Sequence, residues 1–444
     1  MTLKLLRLSS RNPDINKFFQ CPDTSFDILS NNPTDSRPHL SSFDVSPSGE
    51  HFIASFTGSS VNLYETQTGT IRRSLEGHVG DVYNCKFFPS GVVALTAGSD
   101  MQLKIWCLIT GRCAATLGPK STDGSTEPGG HKAAILDTAI IDRGRNITSI
   151  DRLGWLRLWD VSTQTCISAI PVTPKALEPY TTTINSSSMV LEEITCLTIR
   201  KHSNLPIQTM DFINNTDSWY HVQETSTPAQ EVATSDALVA VGTGTNATVR
   251  LYELAARQKG CVIQCTLPGG NGSVEACAFP EDIPSTQFSK EIQFIDVPRS
   301  CVSSFMDYGL FAGGGQQGEL ASWDIRQTKQ PLWQLTSEQS TVQHIRVCRR
   351  PNCQYLLLIV SRNDGRTIVY AYDPAATGHV NDVSGNAQIL STSLELTGVN
   401  CEPIRGLSLV HSEVTGEINV WNAARSGIVN QYKKLLDETI FTNC

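Results

Sequence analysis

The sequence predicts an all-β fold: a seven-bladed propeller with polar loop insertions. Three observations carry that prediction. Two stretches repeat one another, from Gly77-His78 to Trp106 and from Gly130-His131 to Trp159. Within each, short apolar runs alternate with a period of two, as strands do and helices do not. Weaker copies of the closing strand recur along the chain, with terminal aromatics at Tyr64, Trp106, Trp159, Tyr252, Trp323, Tyr370 and Trp421. Seven such units close a ring and leave no exposed sheet edge.

Each unit opens on a turn and continues through an apolar strand, a second strand, a tight turn and a third strand. Within LKIW, Leu103 and Ile105 share one face while Lys104 and Trp106 share the other. Gly-His and Trp-Asp landmarks at this separation, as in Trp159-Asp160, mark a WD repeat, one four-stranded blade. The propeller is expected over residues 39–433. A segment over 1–38 precedes it and holds any strand that closes the ring against Gly427 to Lys433; a tail over 434–444 follows. Two stretches lack the alternation and read as polar insertions, about 200–235 in blade 4 and about 280–300 in blade 5. At ~150 residues per domain the length suggests about three domains; the repeats reduce them to one.

Composition narrows the function classes. With 40% apolar and 18% charged residues the chain has material for a sizeable core. Its 35 basic and 43 acidic residues give 35 − 43 = −8, which argues against a nucleic-acid partner, since that binding rests on phosphate neutralisation. The 14 cysteines include no C-x-x-C, and the near pairs Cys261/Cys265 and Cys348/Cys353 have no companion at zinc-ligand spacing. Cys85, Cys107, Cys196 and Cys277 lie in apolar runs, where a thiol acts as a small hydrophobe. Reduced cysteines, a cytoplasmic or nuclear setting, and no metal or other cofactor are expected. No apolar run reaches membrane-spanning length, and Met1 to Ser10 lacks the apolar core of a signal peptide, so no membrane partner is expected.

Blade 2 carries a structural tetrad: His78, Thr96, Asp100 and Trp106. The carboxylate accepts from imidazole, and imidazole, hydroxyl and indole N–H link in turn, fixing the register of loop and strands. A His/Asp/Thr set also invites nucleophilic catalysis, but the tryptophan spacing accounts for all four residues as scaffold. Replacing His78 or Asp100 by Ala is therefore predicted to lower the melting temperature. Blade 3 keeps His131, Ser149 and Trp159, with Leu153 in the carboxylate's place; Asp151 substitutes only if the turn is remodelled. The other blades place Asn246, Gln317, Asp364 and Thr415 there, and blades 4 to 7 lack Gly-His, so apolar packing is expected to hold them. Gly313 to Gly318 spells G-x-G-x-x-G, but a strand-like run follows where a dinucleotide site needs a helix. No Walker loop, HExxH or GxSxG is present, and no residue is assigned a catalytic role. An enzyme is not expected.

A propeller instead offers a rigid rim where loops converge. By repeat position this rim shows Asp81, Tyr83 and Ser99 from blade 2, Leu136 and Arg152 from blade 3, and Glu193 from blade 4. Blade 5 adds Glu275 and Gln316, and the last two blades add Asn363 and Arg405. Mixed aromatic and charged residues suit a protein-binding surface.

EGHVGDVYNCKFFPSG (Glu76 to Gly91) with the following DMQLKIW, and GHKAAILDTAIIDRGRN (Gly130 to Asn146), resemble the proteasomal ATPase-associated factor family. LELTGVNCEPI (Leu394 to Ile404) looks like that family's segment before its last blade. Asp142-Arg143-Gly144-Arg145 is the most specific part, because the WD fold does not itself require it. The strong resemblance covers blades 2 and 3, about a fifth of the chain. It implies a monomeric, non-enzymatic chaperone that binds the small C-terminal domain of an ATPase subunit in the 26S proteasome regulatory-particle base. Such a factor controls the subunit's assembly or its association with the core particle. On this reading Asp81→Lys weakens subunit binding and leaves the fold intact. The alternative is a scaffold or substrate receptor of a ubiquitin ligase.

Overall fold

A computed structural model describes residues 8–9, 16–29, 38–118, 129–173, 176, 193–200, 237–254, 260–269, 272–282, 308–315, 318–336, 340–349, 356–372, 392–411, 418–433 and 435. Their strands form seven sheets. Blade 1 is Leu40–Val45, His51–Phe56, Val61–Glu65 and Ile71–Ser74. Blade 2 is Val82–Phe87, Val93–Gly98, Leu103–Cys107 and Arg112–Leu117. Blade 3 follows with Ile135–Ile141, Asn146–Asp151, Trp155–Asp160 and Thr165–Pro171. Blade 4 comprises Ile194–Ile199, Leu238–Thr243, Thr248–Glu253 and Cys261–Thr266. Blade 5 holds Val274–Ala278, Gly309–Gly314, Glu319–Asp324 and Trp333–Thr336. Blade 6 holds Val342–Arg349, Leu356–Arg362, Thr367–Tyr372 and Thr392–Leu396.

Burial explains the patterns along each blade. The second strands lie between two neighbouring blades, so both faces are covered; Leu238–Thr243 and Leu356–Arg362 are buried at every residue. Outermost strands meet water, and Ile71–Ser74 is exposed throughout. The apolar core is correspondingly divided into seven clusters, one at each junction of neighbouring blades. The cluster joining blade 7 to blade 1, with Trp421, Phe52 and Tyr64, completes the circle.

Blade 7 corrects the sequence reading. Its strands run Ile404–His411, Ile418–Ala424 and Ile428–Tyr432, so Trp421 ends no third strand; it lies on the second. Tyr432 pairs with Val420 as Trp106 pairs with Ala94, and so takes the terminal aromatic position. INVW resembles LKIW because second and third strands share the same two-sided burial. With the register moved, Ser426 rather than Thr415 stands six residues before the aromatic; Thr415 lies outside the described residues.

The fourth strand of blade 7 is Thr24–Asp27, antiparallel to Ile428–Tyr432. Just before it, Asn16–Gln20 lies parallel to Thr392–Leu396 and widens blade 6, with Leu8–Ser9 beyond. At the other edge of that sheet, Glu281–Asp282 pairs parallel with the inner strand at Cys348 and Arg349. The two polar insertions otherwise fall outside the described residues, apart from Arg200 and residues 280–282 at their margins.

Candidate functional site: the rim at the bulged ends of the inner strands

Two hydrogen-bonded relays anchor the loops that reach the rim. In blade 2, Trp106 Nε1–H donates to Thr96 Oγ1 at 2.7 Å, the Thr96 hydroxyl lies 2.6 Å from His78 Nε2, and His78 Nδ1–H meets Asp100 Oδ2 at 2.8 Å. Burial works against the charge on Asp100, but the His78 hydrogen bond and charge, with the Val79 and Gln102 N–H groups, hold the carboxyl below its ordinary value. Blade 3 repeats the relay through Trp159, Ser149 and His131, at 2.8 and 2.6 Å, and ends on Asp151 at 2.8 Å. No remodelled turn is needed. The turn after Ile150 is as long as that after Ala97, and Asp151 reaches His131 from the end of the second strand. Blade 2 has Gly98 at that register, where a Cβ would lie 2.1 Å from the Asp81 carbonyl.

Blade 6 shows a polar tie that the sequence reading missed. Its Asp364 stands at the Asp100 position but pairs with Arg366 at 2.6 Å, and Arg362, fully buried, donates from Nη1 to the Ser340 carbonyl at 2.8 Å. Asp142-Arg143-Gly144-Arg145 is a turn of blade 3 with left-handed Asp142 and Gly144. A Cβ on Gly144 would sit 2.2 Å from the Phe88 ring, so contact between blades 2 and 3 demands this glycine.

One geometry repeats seven times at the end of the ring where the inner strands begin. Each inner strand is bulged there, at Ser41, Tyr83, Leu136, Thr195, Glu275, Gln343 and Arg405. The residue after each second strand donates its N–H to the carbonyl just ahead of the inner strand. These bonds, Thr57 to His39, Ser99 to Asp81, Arg152 to Ala134, Gly244 to Glu193, Gly315 to Ser273, Asn363 to Thr341 and Arg425 to Pro403, span 2.6 to 3.0 Å. A bulge re-aims its side chain out of the ladder, so each blade presents three positions on a stiff corner.

Nine of the ten rim residues named from sequence occupy these positions. Arg152, Glu193, Asn363 and Arg405 are exposed, while Asp81, Tyr83, Ser99, Leu136 and Glu275 are half-buried. Gln316 lies outside the described residues. Asp81 is not a free rim charge: its Oδ1 accepts the Gly58 N–H of blade 1 at 2.5 Å. Reversal there therefore disturbs a loop as well as a surface. The sequence reading missed exposed Arg425, because placing Trp421 on the third strand moved the blade 7 turn away from it. It also missed Val79, 81% exposed on the Gly-His loop.

The rim carries charges of both signs, with exposed Arg152 of blade 3 next to blade 4. Glu193 and Glu275 come from neighbouring blades 4 and 5, whereas Arg405 and Arg425 share one corner of blade 7. Among the described residues no ion pair joins either arginine to a carboxylate. Partial burial and the Arg425 charge lower the Arg405 pKa, opposed by the charge of Glu275.

Beneath the rim, polar side chains satisfy the unpaired edges of the inner strands. Asp137 takes Lys86 at 3.0 Å and Asn84 at 2.9 Å on one side and the Leu197 N–H at 2.9 Å on the other, joining blades 2, 3 and 4. Asp44 accepts the Phe87 N–H at 2.9 Å and the Ser408 hydroxyl at 3.1 Å, yet burial still raises its pKa. His344, half-buried on the inner strand of blade 6, is pushed down to about 4 by burial and the charges of Arg346 and Arg405, against Asp137. Burial also lowers His131, against the hydrogen bond and charge of Asp151.

Both histidines titrate lower in the folded chain than the ordinary 6.5, so the unfolded chain binds more protons in between. Stability present above pH 6.5 is therefore lost as pH falls toward 4. Partial exposure keeps the His344 share below the ~3 kcal/mol that its full shift represents. Thermal denaturation across this window will show a falling Tm, and His344→Gln will flatten the fall.

Among the described residues no three His, Cys, Asp or Glu side chains group as a metal site. Gly313 and Gly314 end one strand of blade 5 and Gly318 leads into the antiparallel strand Glu319–Asp324, with Gly315 and Gly318 left-handed. Among the described residues no helix is long and apolar enough to cross a membrane.

Seven sheets in a ring, six of four strands and one widened to seven, with two His–hydroxyl–Trp relays, define a WD-repeat β-propeller. The WD domain, G-beta repeat family matches residues 69–107. The chain is 36% identical over 94 residues to the 26S proteasome regulatory subunit RPN14 of Saccharomyces cerevisiae, 21% of this chain and 20% of that protein. It is 40% identical over 92 residues to the proteasomal ATPase-associated factor 1 of Homo sapiens, 20% and 21% of the two chains. These alignments span about a fifth of each relative, and relate that part of the chain to proteasome-associated WD-repeat proteins. Across the whole fold, the solved structure of U3-55K superposes with a TM-score of 0.54 at 10% identity, covering 90% of this chain and 96% of that one. At that identity it shares the propeller architecture alone.

Proposed function

We propose that this chain is a non-enzymatic WD-repeat factor whose bulged rim binds an ATPase subunit of the proteasome regulatory-particle base, through the subunit's C-terminal domain. In this role it governs the subunit's assembly or its association with the core particle. The observation that carries the reading is the rim: a rigid ring of re-aimed side chains with an acidic residue on each of blades 4 and 5 and a basic pair on blade 7, in a chain locally similar to two proteasome-associated proteins. Complementary charge orients a partner and accelerates docking more than it adds raw affinity. Glu193 and Glu275 suit a basic patch, and Arg405 with Arg425 suits an acidic one.

The test titrates purified base ATPase C-terminal domains against the full chain. Glu193→Lys and Arg405→Glu, both exposed, should each weaken binding of one subunit by about tenfold at low salt, mainly through a slower on-rate. Micromolar binding to none of the base subunits would overturn the proposal. Wild-type affinity in both variants would move the interface off the rim.

A further inference from the structure

Two cysteines distant in sequence meet where blades 4 and 5 join. Cys196 lies on the inner strand Ile194–Ile199 and Cys277 on the inner strand Val274–Ala278, 81 residues apart in the chain. Both are free thiols, and their Sγ atoms are 3.5 Å apart. The fold makes room for this approach. A Cβ on Gly242, in the second strand of blade 4, would lie 2.5 Å from Cys196 Sγ. Around the pair are the Val274 carbonyl, 4.0 Å from Cys196 Sγ, and the Ala240 carbonyl, 3.8 Å from Cys277 Sγ.

We propose that Cys196 and Cys277 form a dithiol modification site that exchanges with low-molecular-weight disulfides and closes into a covalent bridge between blades 4 and 5. A bond requires the sulfurs to close by about 1.5 Å, within reach of side-chain rotation and a small strand shift. The two thiols are not equivalent. Cys196 is half-buried, whereas Cys277 is buried and its pKa is raised by the Cys196 hydrogen bond and by burial, with the charges of Cys196 and Asp137 adding and Lys86 opposing. Cys196 therefore initiates the exchange.

Its thiolate attacks one sulfur of the external disulfide; that S–S bond breaks and one small thiol leaves, carrying the proton Cys196 gave up. The product is a mixed disulfide on Cys196. Cys277 then gives its proton to the second leaving thiolate as its sulfur displaces it, and the Cys196–Cys277 bond forms. Two protein thiols are oxidised and one external disulfide is reduced to two thiols.

The same strands carry the rim carboxylates: Glu193 is three residues before Cys196 and Glu275 two residues before Cys277. The bridge therefore fixes their spacing. Its formation does not depend on what the rim binds.

The experiment incubates the full chain with a series of oxidised-to-reduced glutathione ratios, blocks remaining thiols and maps peptides without reduction. The expected product is one cross-linked peptide pair holding Cys196 and Cys277, reversed by dithiothreitol, with a Tm raised by a few degrees in the wild type only. Cys196→Ser and Cys277→Ser should each abolish it, and Gly242→Ala, which displaces the Cys196 sulfur, should slow its formation at least tenfold. Should either serine variant fail to fold, the wild-type map alone decides. Recovery of Cys196 and Cys277 as blocked thiols or separate glutathione adducts, while exposed Cys113 and Cys261 react, would overturn the proposal.

Discussion

Replacing Asp151 by leucine is expected to cost about 3–4 kcal/mol of stability, more than the same change at Asp100, because the two carboxylates sit in different surroundings. The Asp151 side chain is fully buried beside an equally buried His131. Its second oxygen accepts the Leu153 and Trp155 N–H groups at 3.0 and 2.9 Å. Leucine would orphan the imidazole N–H and those two amides together, and an unsatisfied buried donor costs far more than a net hydrogen bond returns. Asp100 also meets three donors, but two of them, the Val79 and Gln102 amides at 3.2 and 3.3 Å, are long, and water reaches its side chain, 10% exposed. Asp100→Leu should therefore cost about 1–2 kcal/mol. Urea denaturation of both variants gives the order directly. A double variant, Asp151→Gly with Leu153→Asp, transplants the blade 2 arrangement into blade 3 and should recover at least half of the loss. Equal costs at the two sites would mean that the relay of blade 3 is incidental to its stability.

The contrast between these carboxylates shows what the sequence made legible. Seven blades could be read because each repeats a period of two bounded by turns, and blades 2 and 3 announce their relays with Gly-His. The Asp151 contact could not be settled from spacing, since a carboxylate two residues early reaches the same imidazole only through the path of its strand end. Blade 7 was read one strand out of step because Trp421 sits in a run like LKIW, and two-sided burial gives second and third strands the same pattern. That shift concealed Arg425 and so half of the basic corner. Asp81 was legible as a rim position but not as the acceptor of Gly58, a contact made with another blade. Cys196 and Cys277 were legible as apolar-run cysteines, but their meeting depends on how neighbouring blades lie side by side. Local pattern reports which strands exist; contacts between blades belong to the closed ring.

Removing residues 1–29 is expected to destabilise the chain by at least about 5 kcal/mol and to make it self-associate, because Thr24–Asp27 closes the ring in blade 7 and Asn16–Gln20 extends blade 6. Thr24–Asp27 pairs with Ile428–Tyr432, and the Asp23 and Ile28 amides extend the ladder to Gln431 and Gly427 at 2.8 and 3.1 Å. Asp23 accepts the Lys433 N–H at 2.6 Å, and Gln20 Nε2–H reaches the Lys433 carbonyl at 3.0 Å from the added strand of blade 6. Side chains add to the ladder. Leu29, buried, joins the cluster of Phe52 and Trp421, and a Cβ on left-handed Gly427 would lie 2.6 Å from it. Phe26 lies against Gly69 of blade 1, where a Cβ would come within 2.5 Å of its ring. Without this segment the third strand of blade 7 becomes an open edge beside uncovered aromatic core, a template for pairing with another copy. Thermal denaturation and light scattering of the truncated chain check both effects, and Phe26→Ala, a smaller lesion in an unbroken ladder, should lose about 2 kcal/mol without aggregation. Adding a peptide of residues 16–29 in trans should restore a monomeric, cooperative transition. A truncated chain that melts like the intact one would place the closure of the ring in the apolar clusters alone.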